Sequence, residues 1–352
     1  GERVPTEKEL SGSYNVSRIT SKKALDKLAS QDIIKRYPGR GSFVNAISED
    51  LPSLNVDAST PLGKADKRPS KLIGLVIEDF AEAFGTIIIS GIERTLSKAG
   101  YSLILRRSYG MQTEESKAIK NMLDLGVDGL IIMPVHGTNY NKEILRLSLQ
   151  QFPTVLVDRE LTGIPLRYVG TDNFSSAKKL TEYLIRSGHR KIGFVAPSSL
   201  DTSSVLQRKE GFERAHRDSG ILIDENLVLS QVYSTLPGKT PADNLKADLR
   251  VLEAYLRKNR EMTAVFAVEY NIASALWLAA YNMGLKVPED LEIVCFDSPS
   301  SNIDRYPFTH MHQNQEKIGE ESALQVLNLI KGDTEVRDIS IPADLILRMP
   351  EK

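Results

Sequence analysis

Cysteine and long apolar runs are nearly absent from this chain. Its 352 residues include one cysteine, Cys295, which lies within the apolar run of residues 291–296. A single cysteine cannot form a disulfide within the chain, which suits a reducing compartment. No stretch is apolar and long enough to span a bilayer, and no signal-like segment opens the sequence. We therefore expect a cytoplasmic protein without a membrane partner.

Familiar catalytic and cofactor motifs are missing as well. The predicted strand Leu72–Ile77 runs into residues 78–85 without the G-x-G-x-x-G that holds a pyrophosphate. The sequence also contains no P-loop, no nucleophile elbow and no cysteine–histidine spacing for a metal. His310 and His312 could face one side of a strand, but no third ligand lies nearby in the sequence. We predict no catalytic residue, no metal and no cofactor, and an enzyme is the weakest interpretation.

Basic charge is concentrated at the N-terminal end. The whole chain carries a formal charge of −1, whereas residues 1–45 hold nine Lys or Arg against five Asp or Glu. This local balance of +4 leaves −5 for the remaining residues. Such a concentration fits contact with phosphates, which provide most non-specific DNA affinity. On charge alone, a solvated basic face on a small domain is an equally good interpretation.

The same region carries the pattern of two helices followed by a hairpin. Thr6 can cap a first helix and Ser17 a second. The apolar positions of the second helix are spaced to form one face: Ile19, Ala24, Leu25 and Leu28. Residues 33–44 predict two short strands around a Pro-Gly turn with basic residues at its tip. Such a winged helix-turn-helix can lay the start of its second helix in a DNA major groove.

Several motifs here resemble the GntR-type winged helix. They are Val4-Pro5-Thr6-Glu7-Lys8-Glu9-Leu10, Val16-Ser17-Arg18-Ile19-Thr20, Lys22-Lys23-Ala24-Leu25 and Gly39-Arg40-Gly41-Ser42-Phe43-Val44. The resemblance implies that operator double-stranded DNA is bound by the two helices and the wing tip, through Lys8, Arg18, Thr20, Lys22, Gly39, Arg40 and Gly41. The wing tip is implied to enter the minor groove, where a cation such as Arg40 is favoured. The helix that opens the family's domain would precede Gly1, so we expect a truncated DNA-binding domain in this chain.

A linker is predicted over residues 46–70, where proline, glycine, serine and mixed charges leave no periodicity. Beyond it, apolar strands are predicted over residues 72–77, 103–105, 129–133, 154–157, 191–196, 263–268 and 291–296. Helices are predicted over residues 85–98, 113–124, 140–150, 174–187, 203–219, 246–258, 271–283 and 316–330, and a closing hairpin over residues 338–347.

This alternation predicts an α/β fold. Strands that are buried on both faces and joined by helical crossovers form parallel sheets. Because the alternation restarts near Tyr168, we expect two doubly wound parallel-sheet lobes within residues 71–352. The winged helix-turn-helix of residues 1–45 would precede them.

Polar side chains near the predicted strand ends indicate a binding cleft. These are Asp172, Arg208, Glu269, Asp297 and Gln313, with the aromatic Phe84 beyond the first strand. Carboxylates and a guanidinium bind sugar hydroxyls through paired hydrogen bonds, and an aromatic ring packs on the apolar face of a sugar. Simpler interpretations are a helix cap for Asp172, a strand-end polar residue for Asp297 and a surface cation for Arg208. Together, at the carboxyl ends of a doubly wound fold, these residues favour a sugar site.

Residues 71–348 resemble the ligand-binding domain of LacI/GalR regulators, which is similar to periplasmic sugar-binding proteins. Motifs that carry the resemblance include Ile73-Gly74-Leu75-Val76-Ile77, Val155-Leu156-Val157-Asp158-Arg159, Ser187-Gly188-His189-Arg190-Lys191-Ile192-Gly193-Phe194 and Gly284-Leu285-Lys286-Val287-Pro288-Glu289-Asp290. The resemblance implies that the six cleft residues above line an effector pocket. Glu269-Tyr270 replaces the family's usual Asn-Asp pair, and Ser298 replaces a second aspartate after Asp297. We therefore expect the ligand specificity of the pocket to differ from that of its relatives.

A GntR-type domain on a LacI/GalR-type body resembles the arabinose-type repressors of bacilli. This implies a homodimeric, sugar-responsive repressor that a monosaccharide, an arabinose-like pentose or a deoxyhexose, releases from a two-fold operator. A transport-type sugar-binding protein is the alternative, since the same bilobed body serves that role. Outside the cleft, we expect Trp277 in the core and His189 as the cap of a helix C-terminus.

Overall fold

The computed structural model divides the chain into two compact units, residues 1–57 and residues 58–352. It describes residues 3–14, 17–30, 34–37, 41–44, 69–80, 84–135, 140–198, 202–234, 242–298 and 307–348. Most of the predicted linker lies outside these residues, so its boundaries stay a prediction. None of the helices in the described part of the chain is long and apolar enough to cross a membrane.

The N-terminal unit contains the two predicted helices and the predicted hairpin. Its elements are β1 (Arg3–Val4), α1 (Glu7–Tyr14), α2 (Arg18–Ser30), β2 (Ile34–Tyr37) and β3 (Gly41–Val44). The three strands form one antiparallel sheet in the order β1-β3-β2. The predicted winged helix-turn-helix is therefore confirmed in its described elements.

Both helix starts are fixed by side-chain caps, as the sequence predicts. At α1, the Glu9 amide donates to the Thr6 hydroxyl over 3.3 Å, and the Glu9 carboxylate accepts from the Thr6 amide over 2.7 Å. This reciprocal pair is a capping box. At α2, the Thr20 amide donates to the Ser17 hydroxyl over 3.1 Å. Arg36 on β2 then bonds carboxylates of both helices, at 2.8 Å for Glu7 and also to Asp26.

The predicted apolar face of α2 is wrong for two of its residues. Ile19 is 68% exposed, and Ala24 is exposed too. The inward face of α2 carries the predicted Leu25 together with Ser21, and these are 2% and 3% exposed. Those two residues are four apart, one helical turn, and so share one side of the helix. The small polar Ser21 was overlooked because it carries no apolar signal.

The second unit begins with a sheet in the order β14-β8-β7-β6-β4-β5, whose strands are all parallel. We call this sheet and its helices the first lobe. Its consecutive elements are β4 (Leu72–Ile77), α3 (Thr86–Lys98), β5 (Ser102–Arg107), α4 (Gln112–Asp124), β6 (Gly129–Ile132), α5 (Lys142–Leu149), β7 (Thr154–Val157) and β8 (Arg167–Thr171). Side chains of β4 alternate, with Ile73, Leu75 and Ile77 in one core and Val76 in the other.

A second sheet, in the order β10-β9-β11-β12-β13-β15, organises the second lobe. The chain supplies it with α6 (Asn173–Arg186), β9 (Ile192–Pro197), α7 (Ser203–Asp218), a single 3₁₀ turn (Glu225–Leu227), β10 (Val228–Val232), α8 (Ala242–Lys258), β11 (Ala264–Ala267), α9 (Tyr270–Asn282), β12 (Glu292–Phe296) and β13 (Thr309–His312). The remaining elements are α10 (Gln315–Ile330), β14 (Asp338–Ile341) and β15 (Asp344–Ile346). The predicted α/β fold with two doubly wound lobes is confirmed.

The predicted closing hairpin is wrong. β14 pairs in parallel with β8 in the first lobe, whereas β15 pairs antiparallel with β13 in the second lobe. The two strands look like a hairpin in sequence because only two residues separate them, but they lie in different sheets. The chain therefore crosses between the lobes after β8, after β13 and after β14.

α10, the helix that follows β13, packs closely against α3 through a glycine on each helix. At the contact of α10 with α3, a Cβ added to Gly319 would lie 2.3 Å from the Ile88 carbonyl oxygen and 3.0 Å from the Ile92 nitrogen. A Cβ added to Gly91 would lie 2.6 Å from the Glu316 carbonyl oxygen. Only glycine lets these two backbones approach so closely, so Gly91 and Gly319 fix the position of α10 against α3.

Gly319→Ala is expected to destabilise the second unit by about 1–3 kcal/mol, as overpacking does. The added methyl group meets backbone atoms that cannot rotate away, which outweighs the better helix propensity of alanine. Ser90→Ala, on the exposed face of α3, is the matched control and should change stability little. Equal unfolding midpoints for both variants in a denaturant titration would contradict the close crossing.

Candidate functional site

Arg208 lies in α7 and is buried, with 7% of its surface exposed. Its Nε donates to Asn173 Oδ1 over 2.8 Å, and one Nη donates to the Val268 carbonyl over 2.6 Å. The guanidinium carbon lies 3.8 Å from the centroid of the Phe296 ring, a cation–π contact. Burial lowers the pKa of Arg208, while Asp297, Asp158 and Glu269 act against that shift. These contacts exclude the surface-cation interpretation and hold the guanidinium in one orientation.

Asp297 follows β12 and is 5% exposed, with a left-handed backbone φ of 63°. Its Oδ2 accepts from Gln313 Nε2 over 2.6 Å. Its Oδ1 is buried and has no hydrogen-bond partner among the described residues. Burial raises the pKa of Asp297 to about 7, although Arg208 and Gln313 lower it. An acceptor atom therefore remains open beside the guanidinium.

Gln313 connects the two lobes. It is 1% exposed and lies between β13 and α10, where the chain crosses into the first lobe. Besides donating to Asp297, it accepts from the Thr171 hydroxyl over 2.6 Å through Oε1. Asn173, which holds Arg208, donates to the Thr171 carbonyl over 3.1 Å. The structure thus brings Arg208, Asp297 and Gln313 into one buried network at the crossings, as the sequence predicts.

The other three predicted residues have different surroundings. Asp172 accepts from the Ser175 amide over 2.9 Å and caps α6, which is the simpler interpretation given above. Glu269 precedes α9 and acts electrostatically on Arg208. Phe84 is half-buried and packs against the core of the first lobe. The assignment of all six predicted residues to an effector pocket stays a prediction.

Polar groups at the strand ends of the first lobe were missed. Asp158 follows β7 with a φ of 67°, is 6% exposed, and acts electrostatically on both Arg208 and Asp297. Next to it, Arg159 forms an ion pair with Glu78, which follows β4, at 2.5 Å. The rule that found Asp297, a carboxylate directly after a buried strand, also fits Glu78 and Asp158. They were overlooked because Glu78 was considered only in the search for a pyrophosphate-binding motif, and Asp158 only as part of a family motif.

Asp158 and Asp297 occupy matching places. Each directly follows a buried strand, one in each lobe, and each has a positive φ that is uncommon outside glycine. Strained backbone of this kind concentrates at ligand sites, because packing must hold it in place. The two aspartates therefore make the ends of β7 and β12 a candidate ligand site.

A second candidate surface lies on the N-terminal unit. Lys8 on α1 and Arg18, Thr20 and Lys22 on α2 are all exposed. The Thr20 hydroxyl is also 2.8 Å from the Ser17 hydroxyl, so it takes part in the cap. Gly41 has a φ of 107°, which glycine adopts without strain. Gly39 and Arg40 lie outside the described residues, and the DNA contacts of all seven stay predictions.

Of the two expectations away from the cleft, the one for Trp277 is wrong. Trp277 is 45% exposed and stacks on Tyr281, which is 68% exposed, with ring centroids 5.7 Å apart on α9. Apolar neighbours in the sequence suggested a core position, but the indole is on the outer side of the helix. His189 caps the C-terminal end of α6 through its backbone, because its amide donates to the Leu184 carbonyl over 3.1 Å, while its ring contacts Thr263 Oγ1 at 2.8 Å and Glu292 Oε2 at 3.0 Å. Arg190 donates to the Ile185 carbonyl at that helix end.

Comparison with protein-family models gives two matches. Residues 70–349 match the model described as periplasmic binding proteins and sugar binding domain of LacI family. Residues 1–44 match the model of bacterial regulatory proteins, gntR family. The two matches together span nearly the whole chain.

Individual proteins similar to this chain are transcriptional regulators. The arabinose metabolism transcriptional repressor of Geobacillus stearothermophilus is 27% identical over 100% of this chain and 92% of its own length. The repressor of the same name from Halalkalibacterium halodurans is 24% identical, over 95% of this chain and 85% of its own length. The crystal structure of the transcription regulator CcpA of Lactococcus lactis superposes with a TM-score of 0.68 and 25% identity, covering 80% of this chain and 98% of that one.

The raised pKa of Asp297 gives a pH-dependent stability. Between the ordinary pKa of 3.8 and the folded value of about 7, the folded state holds a proton that the unfolded state has released. The free energy of unfolding should therefore fall as pH rises through this window. Asp297→Asn removes the titration, so its stability relative to the unsubstituted protein should increase from pH 5 to pH 8. Thermal unfolding at both pH values checks this, and a constant difference between the two proteins would contradict it.

Proposed function

The chain belongs to the family of periplasmic binding proteins and LacI-type sugar-binding domains, and we propose that a monosaccharide bound between its two lobes releases it from operator DNA. With a GntR-type region at its N-terminal end, the chain is a sugar-responsive transcriptional regulator. The observation that carries this proposal is the buried pair of Arg208, with donors in a fixed orientation, and Asp297, with an open acceptor. Adjacent sugar hydroxyls both accept and donate, so they fit this pair.

The charge of the cleft favours a neutral ligand. Asp158, Glu269 and Asp297 act on Arg208, and Arg159, next to Asp158, is paired with Glu78. Among the residues that the structure describes here, acidic groups therefore outnumber the cation that remains for a ligand. A sugar phosphate or sugar acid would bring a further negative charge among these carboxylates, and like charges oppose binding. An unphosphorylated sugar, whose hydroxyls can donate to carboxylates, meets no such opposition.

The relatives narrow the class of sugar. Both of the arabinose repressors described above align with this chain over nearly its whole length, which includes the GntR-type match and the sugar-binding match. We therefore propose an arabinose-like pentose as effector, with a deoxyhexose as the second candidate. Glu269-Tyr270 and Ser298 follow β11 and β12 at the cleft. They would therefore determine whether a pentose or a deoxyhexose binds more tightly.

DNA binding is proposed to involve a homodimer on a two-fold operator, since an isologous pair of winged helices matches a palindromic site. Trp277 and Tyr281 are candidates for the subunit contact, because a stacked pair of exposed aromatic rings is typical of interfaces. Lys8, Arg18, Thr20 and Lys22 are the proposed DNA contacts on the two helices, with Gly39, Arg40 and Gly41 at the wing tip. A repressor acts on chromosomal DNA, so a cytoplasmic location is part of the proposal.

Two other functions are less favoured. A transport-type sugar-binding protein would have the same bilobed body, but it gives no reason for the GntR-type region. An enzyme is not supported by the relatives, which are transcriptional regulators. We infer that the chain binds its sugar without transforming it.

Arg208→Ala is expected to weaken sugar binding at least tenfold, because the guanidinium donates from a desolvated position. Operator binding and dimerisation should persist, but the response of DNA binding to sugar should be lost. Arg217→Ala, which removes an exposed arginine of the same helix, is the control. Isothermal titration calorimetry measures the affinity, and an unchanged value for Arg208→Ala would place the sugar elsewhere.

Arg18→Ala in the full-length protein is expected to reduce operator affinity by about 1–3 kcal/mol, as loss of a base contact does. Sugar affinity should not change, because the cleft lies in the other unit. Arg186→Ala, an exposed arginine of the second unit, should leave operator affinity unaltered. A gel-shift titration compares the three proteins, and equal affinity for Arg18→Ala would exclude this side chain from the interface.

A further inference from the structure

Ile19 is an exposed apolar residue at the start of α2. Its exposed fraction is 68%, whereas Ser21 and Leu25 on the same helix are 3% and 2% exposed. Ile19 and the half-buried Leu28 are nine residues apart, about two and a half turns, so they lie on opposite sides of the helix. The side chain of Ile19 therefore does not contribute to the core that holds α2 in place.

The neighbours of Ile19 are polar or basic. Arg18, Thr20, Lys22 and Lys23 are all exposed in the first two turns of α2. Ile19 is thus the one large apolar side chain on this basic surface among the described residues of α2. A solvent-exposed helix turn has no need for an isoleucine, which has a lower helix propensity than alanine, lysine or arginine.

We propose that Ile19 contacts the 5-methyl group of a thymine in the major groove and so selects a T·A pair at one position of each operator half-site. This assignment rests on the proposed function, in which the start of α2 enters the major groove. Among the base edges exposed there, the thymine methyl group is the apolar one, and the others present donors and acceptors. Isoleucine has no hydrogen-bonding group in its side chain, so it can recognise only the methyl group.

Polar and apolar side chains at the start of α2 would recognise different parts of the DNA. Arg18 and Lys22 provide charge and hydrogen bonds, which guanine bases or phosphates accept. Ile19 provides a contact whose affinity depends on a single methyl group of the DNA. The free energy gained by burying one methyl-sized group corresponds to about a fourfold change in affinity for the operator.

The test removes that methyl group from the DNA and the side chain from the protein. The operator is first identified by binding-site selection with the full-length protein, and each thymine of a half-site is then replaced in turn by deoxyuridine. We expect one position at which uracil weakens binding by about fourfold. Ile19→Ala should weaken binding to the thymine operator by a similar factor and should no longer distinguish thymine from uracil there. Arg18→Ala should bind more weakly overall and keep the discrimination.

Leu222→Ala, at a residue that is 94% exposed in the second unit, is the control for loss of an exposed apolar side chain. It should change neither operator affinity nor the thymine preference. The unfolding midpoint of Ile19→Ala should equal that of the unsubstituted protein, and a lowered midpoint would overturn the assignment in favour of a packing role. Operator binding with unchanged thymine discrimination in Ile19→Ala would overturn this assignment alone. Failure to select any DNA sequence would overturn the proposed function and this assignment with it.

Discussion

The architecture of the second unit depends on the three crossings of the chain between its two sheets. Each crossing carries backbone from a strand of one lobe into the other lobe, so neither lobe has a core built from one continuous stretch of sequence. The polar residues Thr171, Asn173 and Gln313 lie at two of these crossings and hydrogen-bond into one network. A change in the angle between the lobes must therefore change the surroundings of this network.

This constraint explains why the cleft suits a sensor. Arg208 and Asp297 belong to the second lobe, but Asn173 and Gln313, which hold them, are joined to Thr171 of the first lobe. A ligand that bonds to Arg208, Asp297 and Asp158 would favour one arrangement of the lobes over others. Coupling of this kind is typically worth about 1–3 kcal/mol, which is sufficient to change occupancy of a DNA site. In the proposed function, the free energy of sugar binding would change the affinity for DNA without a chemical reaction.

Much of this structure could be predicted from the sequence, because the apolar runs are strongly periodic. Residues 154–157 and the run Leu72–Ile77 form strands at the predicted bounds, and most helices differ by one or two residues. The pairing of the C-terminal strands could not be predicted, since nothing local distinguishes a hairpin from two strands that join different sheets. The proximity of Arg208, Asp297 and Gln313 could be predicted because the ends of neighbouring parallel strands meet at one edge of a sheet. The exposure of Ile19 and Trp277 was predicted wrongly, because it depends on the angle around a helix that a few apolar neighbours do not determine.

The central claim is that sugar bound in the cleft controls DNA binding. Fluorescence anisotropy of a labelled operator, titrated with the full-length protein in the presence of single monosaccharides, tests it most directly. A neutral sugar of the arabinose class should weaken operator binding by about 5–150-fold, and the corresponding sugar phosphate should have no effect. Operator affinity that stays the same in the presence of a sugar shown by calorimetry to be bound would contradict the account.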